Sequence, residues 1–117
     1  MIYIINGPSG TGKTMVGEYL KAKGIRELIS HTTRKPRVGE VDGEAYHFVS
    51  EQAFEKIDKV EESVYAGNRY GVSKGEVIEK NHGGDVFAVT DINGTKAFKK
   101  TFGDRVKVIY VGSTPRF

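Results

Sequence analysis

The chain has 117 residues, 38% hydrophobic and 28% charged, with 18 Lys and Arg against 15 Asp and Glu for a formal net charge of +3 at pH 7. That length suits one domain, no apolar run approaches the roughly 18 residues of a membrane span, and so mild a basic excess does not make a nucleic-acid-binding surface. The absence of cysteine excludes a disulfide framework and a thiolate metal site, and the opening MIYIING lacks the basic and long apolar regions of a secretory signal, which reads as a cytoplasmic protein.

Residues 1–6 are a short apolar run closed by a glycine-rich turn, which predicts a strand buried on both faces at the centre of a parallel sheet. Residues 13–23 predict a helix with Met15, Val16, Tyr19 and Leu20 on its apolar stripe and Gly24 just past its end. Residues 27–31 read as a second strand, after which Pro36, Gly39 and Gly43 forbid a long regular element until a strand at 45–49. Ser50 is placed to cap a short helix, EQAFEKI, and VEESVYAGNRYGV reads as two strands about a Gly-Asn turn. Residues 34–72 thus form a largely antiparallel insert. Ser73 and Glu76 have capping-box spacing for a helix through Asn81, Gly83 and Gly84 precede the strand DVFAVT, residues 94–101 fit another helix, and 105–111 a last strand. The order is α/β with one excursion.

Two segments carry chemistry. Gly7, Pro8, Ser9, Gly10, Thr11, Gly12, Lys13 and Thr14 match GxxxxGK[ST] between a buried strand and a helix start. There, glycines let backbone amides turn inward around phosphate oxygens, the helix dipole adds positive potential, Lys13 reaches the β- and γ-phosphates of ATP, and Thr14 offers a hydroxyl to Mg²⁺. The fold class is therefore a P-loop NTPase-type parallel sheet flanked by helices. The second segment is SHTTRKPRVGE, residues 30–40, followed by Tyr46. Arg34 and Arg37, three apart and stiffened by Pro36, suit a bidentate grip on a second phosphate, and a solvated basic loop is the plain alternative.

At these residues the chain resembles guanylate kinase, whose pattern SxTTRxPRxGExxGxxYxFVS runs through residues 30–50 downstream of a matching phosphate loop; the likeness continues through Glu61, GNRYG at 67–71, Asp91 and RVKVIYV. The resemblance implies one truncated domain over 1–117, with 1–33 and 73–117 as the P-loop core and 34–72 as a GMP-binding insert. It implies that Ser30, Arg34, Arg37, Tyr46 and Tyr70 hold the α-phosphate of GMP and that Glu61 reads the guanine edge. Lys13, Arg34 and Arg37 would be the catalytic cations, with Thr14 and Asp91 at Mg²⁺. A carboxylate suits guanine's N1 and N2 donors and opposes adenine's N1 acceptor.

Three departures from the family pattern stand out. Val72 replaces a guanine-contacting hydroxyl, with Ser73 one position on. Val89 replaces one of two acids beside Asp91, and the lid and later helices have no counterpart before Phe117. The expected activity is transfer of the γ-phosphoryl of Mg·ATP to GMP or dGMP, with no nucleic-acid or membrane partner and a homo-oligomer formed through the uncovered sheet face. The alternative is a catalytically impaired guanylate-kinase-like module that binds nucleotide or a phosphorylated protein.

Overall fold

In chain order the elements are β1 (Ile2–Asn6), α1 (Lys13–Ala22), β2 (Arg26–Glu27), β3 (His31–Thr32), β4 (His47–Phe48), α2 (Glu51–Lys56), β5 (Lys59–Tyr65), β6 (Asn68–Ser73), α3 (Lys74–His82), β7 (Val86–Val89), α4 (Ile92–Phe102) and, after a 3₁₀ turn at Gly103–Arg105, β8 (Val106–Tyr110). The structure is a computed structural model and describes residues 1–8 and 12–112. Strands β2, β7, β1 and β8 pair in that order in one parallel sheet. The apolar run at the start of the chain is thus an inner strand, as its composition requires. Among the described residues, no helix is long and apolar enough to cross a membrane.

The second sheet has the order β4, β3, β6, β5 and is mixed: β3 with β6 and β6 with β5 are antiparallel, whereas β4 runs parallel to β3. The single strand expected at 27–31 is two short ones in different sheets. Leu28 N–H still donates to Phe87 O at 2.8 Å, but the next amide, Ile29 N–H, goes to the Glu76 carboxylate at 2.7 Å instead of a strand neighbour. The chain then crosses to the second sheet, where His47 N–H donates to Ser30 O at 2.9 Å. The hairpin turn is also corrected: it is Ala66-Gly67, not Gly-Asn. Both turn residues have positive φ, 52° and 79°, and Tyr65 pairs with Asn68 across them. A two-residue hairpin needs that geometry to match strand twist.

Side-chain caps set the helix starts. Ser50 Oγ accepts from Ala53 N–H, Ser73 Oγ from Glu76 N–H, and Asp91 Oδ1 from Gly94 N–H at 2.8 Å, so α4 begins at Ile92, two residues earlier than expected. At the end of α1, Gly24 N–H donates to Lys21 O and Ile25 N–H to Leu20 O, a Schellman closure that turns the chain into β2.

Two apolar layers sandwich the parallel sheet. Ile2, Ile4, Val86, Ala88 and Phe98 centre one, and Ile5, Leu20 and Phe87 the other. The expected stripe of α1 is corrected here, because Met15 and Tyr19 are 77% and 61% exposed while Val16, Gly17 and Leu20 face the sheet. A Cβ at Gly17 would sit 3.3 Å from the Phe87 ring, so the helix docks along its glycine and turns Met15 and Tyr19 outward. Replacing fully buried Phe98 by Ala is expected to lower unfolding free energy by about 3–5 kcal/mol. Met15→Ala should change it by less than about 0.5 kcal/mol. Urea denaturation of the two variants checks both values.

Candidate active site

Parallel pairing brings the ends of β1, β7 and β2 to one rim, and the phosphate loop leaves from it. Gly7 has no room for a side chain, since a Cβ there would lie 1.7 Å from Val111 O. Gly12, with φ 91°, precedes α1 and as a glycine offers no capping side chain of its own. Lys13 opens the helix, and its Nζ donates to Gly7 O at 2.6 Å, which folds the ammonium back over the loop. Ser9, Gly10 and Thr11 lie outside the described residues. Lys13, Thr14 and Val89 line one depression beside the loop, and Asp91 lines a neighbouring one with Asn6, Gly7 and Pro8. One oxygen of Asp91 is already the cap of α4.

A second, cationic cleft of about 340 Å³ is lined by Arg34, Arg37, Tyr46, Ser63, Tyr65 and Tyr70. The Arg34 guanidinium lies 5.2 Å from the Tyr46 ring centre and 5.9 Å from that of Phe48. Its fork meets both oxygens of Glu40, at 2.9 and 3.0 Å, and Arg37 N–H donates to the same carboxylate at 2.7 Å. Arg34 first, then the Arg37 amide, hold the Glu40 carboxyl down at about 2. Tyr46 and Tyr70 stand with ring centres 5.6 Å apart. Arg34 is therefore preset in a planar fork geometry that suits a phosphate as well as a carboxylate.

The adjoining cavity, about 220 Å³, shares Tyr46 with that cleft and is lined also by Ser30, Glu61, Val72 and Thr90. Glu61 is half-buried; burial pushes its carboxyl above the ordinary range, and the charges of Asp91 and Glu62 push it further. Val72 presents an apolar wall, 6% exposed. Ser73 is not among the residues that line this cavity, and its Oγ accepts from Glu76 N–H at the start of α3.

The structure thus gathers Ser30, Arg34, Arg37, Tyr46, Glu61 and Tyr70 around two joined depressions, with Gly7, Pro8, Lys13, Thr14 and Asp91 lining two others at the strand ends and Gly12 at the start of α1. Sequence reasoning missed Glu40 as the partner of Arg34, and Ser63 and Tyr65 in the cleft. Strand alternation offered a signal for the last two, since Glu61, Ser63 and Tyr65 share one face of β5. A carboxyl whose pKa is raised on folding favours the fold below its unfolded value, about 4.3, and loses that contribution as pH rises through the folded value. Glu61→Gln is therefore expected to be more stable than the wild type near neutral pH, with the difference vanishing as pH falls below the ordinary glutamate range; denaturation curves across pH measure it.

The family model described as "Guanylate kinase" matches residues 1–115. A guanylate kinase of Thiobacillus denitrificans is 38% identical over 121 residues, covering 97% of this chain and 58% of the relative. One from Lactobacillus johnsonii is 40% identical over 114 residues, covering 91% and 56%. The crystal structure of guanylate kinase from Anaplasma phagocytophilum superposes with a TM-score of 0.73 at 26% identity, covering 96% of this chain and 59% of that one. The chain therefore spans just over half the length of the relatives it matches. With a family match running through residue 115 and a parallel-sheet fold shared with a solved member, the chain belongs to the guanylate kinase family.

Proposed function

We propose that the chain works as a guanylate kinase, moving the γ-phosphoryl of Mg·ATP onto GMP or dGMP to give ADP and GDP or dGDP. The observation that carries this reading is the joining, across Tyr46, of a cleft holding two arginines to a cavity holding a half-buried carboxylate that has no ion-pair partner among the described residues. That is the charge pattern of a nucleoside monophosphate whose base edge is a hydrogen-bond donor. On this reading Arg34, Arg37, Tyr46, Tyr70 and Ser30 hold the acceptor phosphate, and Arg34 exchanges the Glu40 carboxylate for phosphate oxygens. Glu61 accepts from guanine N1 and N2; an adenine there would leave a desolvated carboxylate facing an acceptor.

The donor lies along residues 7–14, with Lys13 turning from Gly7 O to the β- and γ-phosphates. An acceptor phosphate oxygen attacks the γ-phosphorus in line and the bond to the ADP oxygen breaks. The acceptor is anionic near neutral pH and needs no general base; positioning and positive charge carry the step.

The donor set beside the loop fits a magnesium ion. Thr14 and Asp91 are hard oxygen donors, and Mg²⁺ bound to a nucleotide takes one or two protein ligands and draws the rest from phosphate and water. Thr14 and Asp91 would hold it, and the ion would supply charge neutralisation at the β- and γ-phosphate oxygens.

Calorimetric titration of the intact chain tests the two subsites separately. Lys13→Ala is expected to abolish turnover and weaken ATP while leaving GMP affinity within about twofold; equal loss of both contradicts separate sites. Glu61→Gln is expected to lower the preference for GMP over AMP by roughly a hundredfold or more, and a variant that keeps full selectivity removes Glu61 from the base site.

A further inference from the structure

Glu76 lies in the first turn of α3 and lines none of the depressions described above, yet its carboxylate joins three segments. Oε2 accepts from Ile29 N–H at 2.7 Å and from Lys80 Nζ at 2.6 Å, and Oε1 lies 3.1 Å from His47 Nε2. The side chain is only 10% exposed. In a capping box this residue folds back to its own helix start. Here only half of that device is present: Ser73 Oγ takes the Glu76 amide, while the carboxylate reaches across to other elements.

Two of the segments it reaches line the candidate base cavity. Ile29 precedes Ser30, His47 follows Tyr46, and Ile29, Ser30 and Tyr46 all line that cavity with Glu61. His47 belongs to the second sheet and Ile29 ends the path leading out of the first. Lys80 adds a bond from its Nζ to Glu27 O at 3.0 Å, and the His47 ring packs 4.6 Å from His31. Burial alone would raise the Glu76 carboxyl, but Lys80, the Ile29 amide and His47 outweigh it and hold it below the ordinary range. A charged carboxylate therefore straps the two sheets together directly behind the cavity.

We propose that Glu76 is a positioning residue for the acceptor nucleotide: through Ile29 and His47 it fixes the spacing of Ser30 and Tyr46 across the cavity. This rests on the functional reading above. Displacement of site groups by even about 1 Å costs up to roughly a hundredfold in such sites, whereas the partners of the Glu76 carboxylate, Ile29, His47 and Lys80, all lie outside β1, residues 7–14 and α1.

The test is calorimetric titration of GMP and, separately, ATP into the wild type, Glu76→Ala, Glu76→Gln and His47→Phe. Glu76→Ala is expected to weaken GMP about tenfold with ATP within about twofold. Glu76→Gln, whose amide oxygen still accepts from Ile29 N–H, should fall between. A role in stability alone would lower the melting temperature and the fraction able to bind, and leave the GMP dissociation constant of the folded protein unchanged. Folded Glu76→Ala with wild-type GMP affinity overturns the proposal. Where Glu76→Ala does not fold, His47→Phe decides: it keeps a ring against His31 and removes only the bond to Glu76. Several-fold weaker GMP binding supports positioning, and unchanged binding overturns it. A wild type that binds no GMP overturns the functional reading and this role together, whereas GMP binding indifferent to both variants overturns this role alone.

Discussion

Parallel pairing of β2, β7, β1 and β8 is the constraint on which the rest depends, because strands that run the same way deliver their carboxyl ends to one rim. The phosphate loop leaves β1 there, Asp91 leaves β7 there, and residues 28–30 leave β2 there on their way to the second sheet. The backbone approach of Gly7 to Val111 holds the loop root against the end of β8, with Val111 N–H donating to Asn6 O at 2.8 Å. Side chains separated by some eighty residues in sequence become neighbours without any long reach of their own.

Charge is distributed unevenly over this frame, with an ordered cation in one depression and a half-buried carboxylate in the next. Arg34 sits against the Tyr46 and Phe48 rings and is oriented by the Glu40 carboxylate, so its fork is ordered and little rotamer freedom remains to it. Glu61 is the opposite case, a carboxylate half-withdrawn from water and pushed up by burial and by Asp91 and Glu62. That arrangement is unfavourable to the empty protein and favourable to a base that brings two donors, a local conflict between stability and binding of the kind found at functional sites. Elsewhere buried carboxylates are matched: Glu76 has Lys80, His47 and a backbone amide.

What could be read from sequence alone followed from local spacing. The glycine-rich loop between an apolar run and a helix, and the caps at Ser50 and Ser73, are patterns of a few residues and need no knowledge of the rest of the chain. The errors came from distant partners. Residues 27–31 look like one strand until Glu76, 47 residues further on, takes the Ile29 amide. Helical periodicity places Met15 and Tyr19 with Val16 and Leu20, but the glycine that lets α1 sit close to Phe87 selects the adjacent stripe. Ser63 and Tyr65 follow Glu61 at alternate positions of β5, a signal present in the sequence, but that their face meets Arg34, Arg37 and Tyr70 required the strand pairing. At Ser73 the hydroxyl's place was decided by the helix it caps, and the side chain stands outside the lining of the neighbouring cavity.

The most direct test of the proposed two-site phosphoryl transfer is product formation from Mg·ATP with GMP, dGMP, AMP, CMP and UMP in parallel, resolved by chromatography so that simple ATP hydrolysis is counted apart. The expected result is GDP and dGDP from the guanine nucleotides, with no comparable diphosphate from the others. A folded chain that forms none of these diphosphates, or forms them without regard to the base, would contradict it.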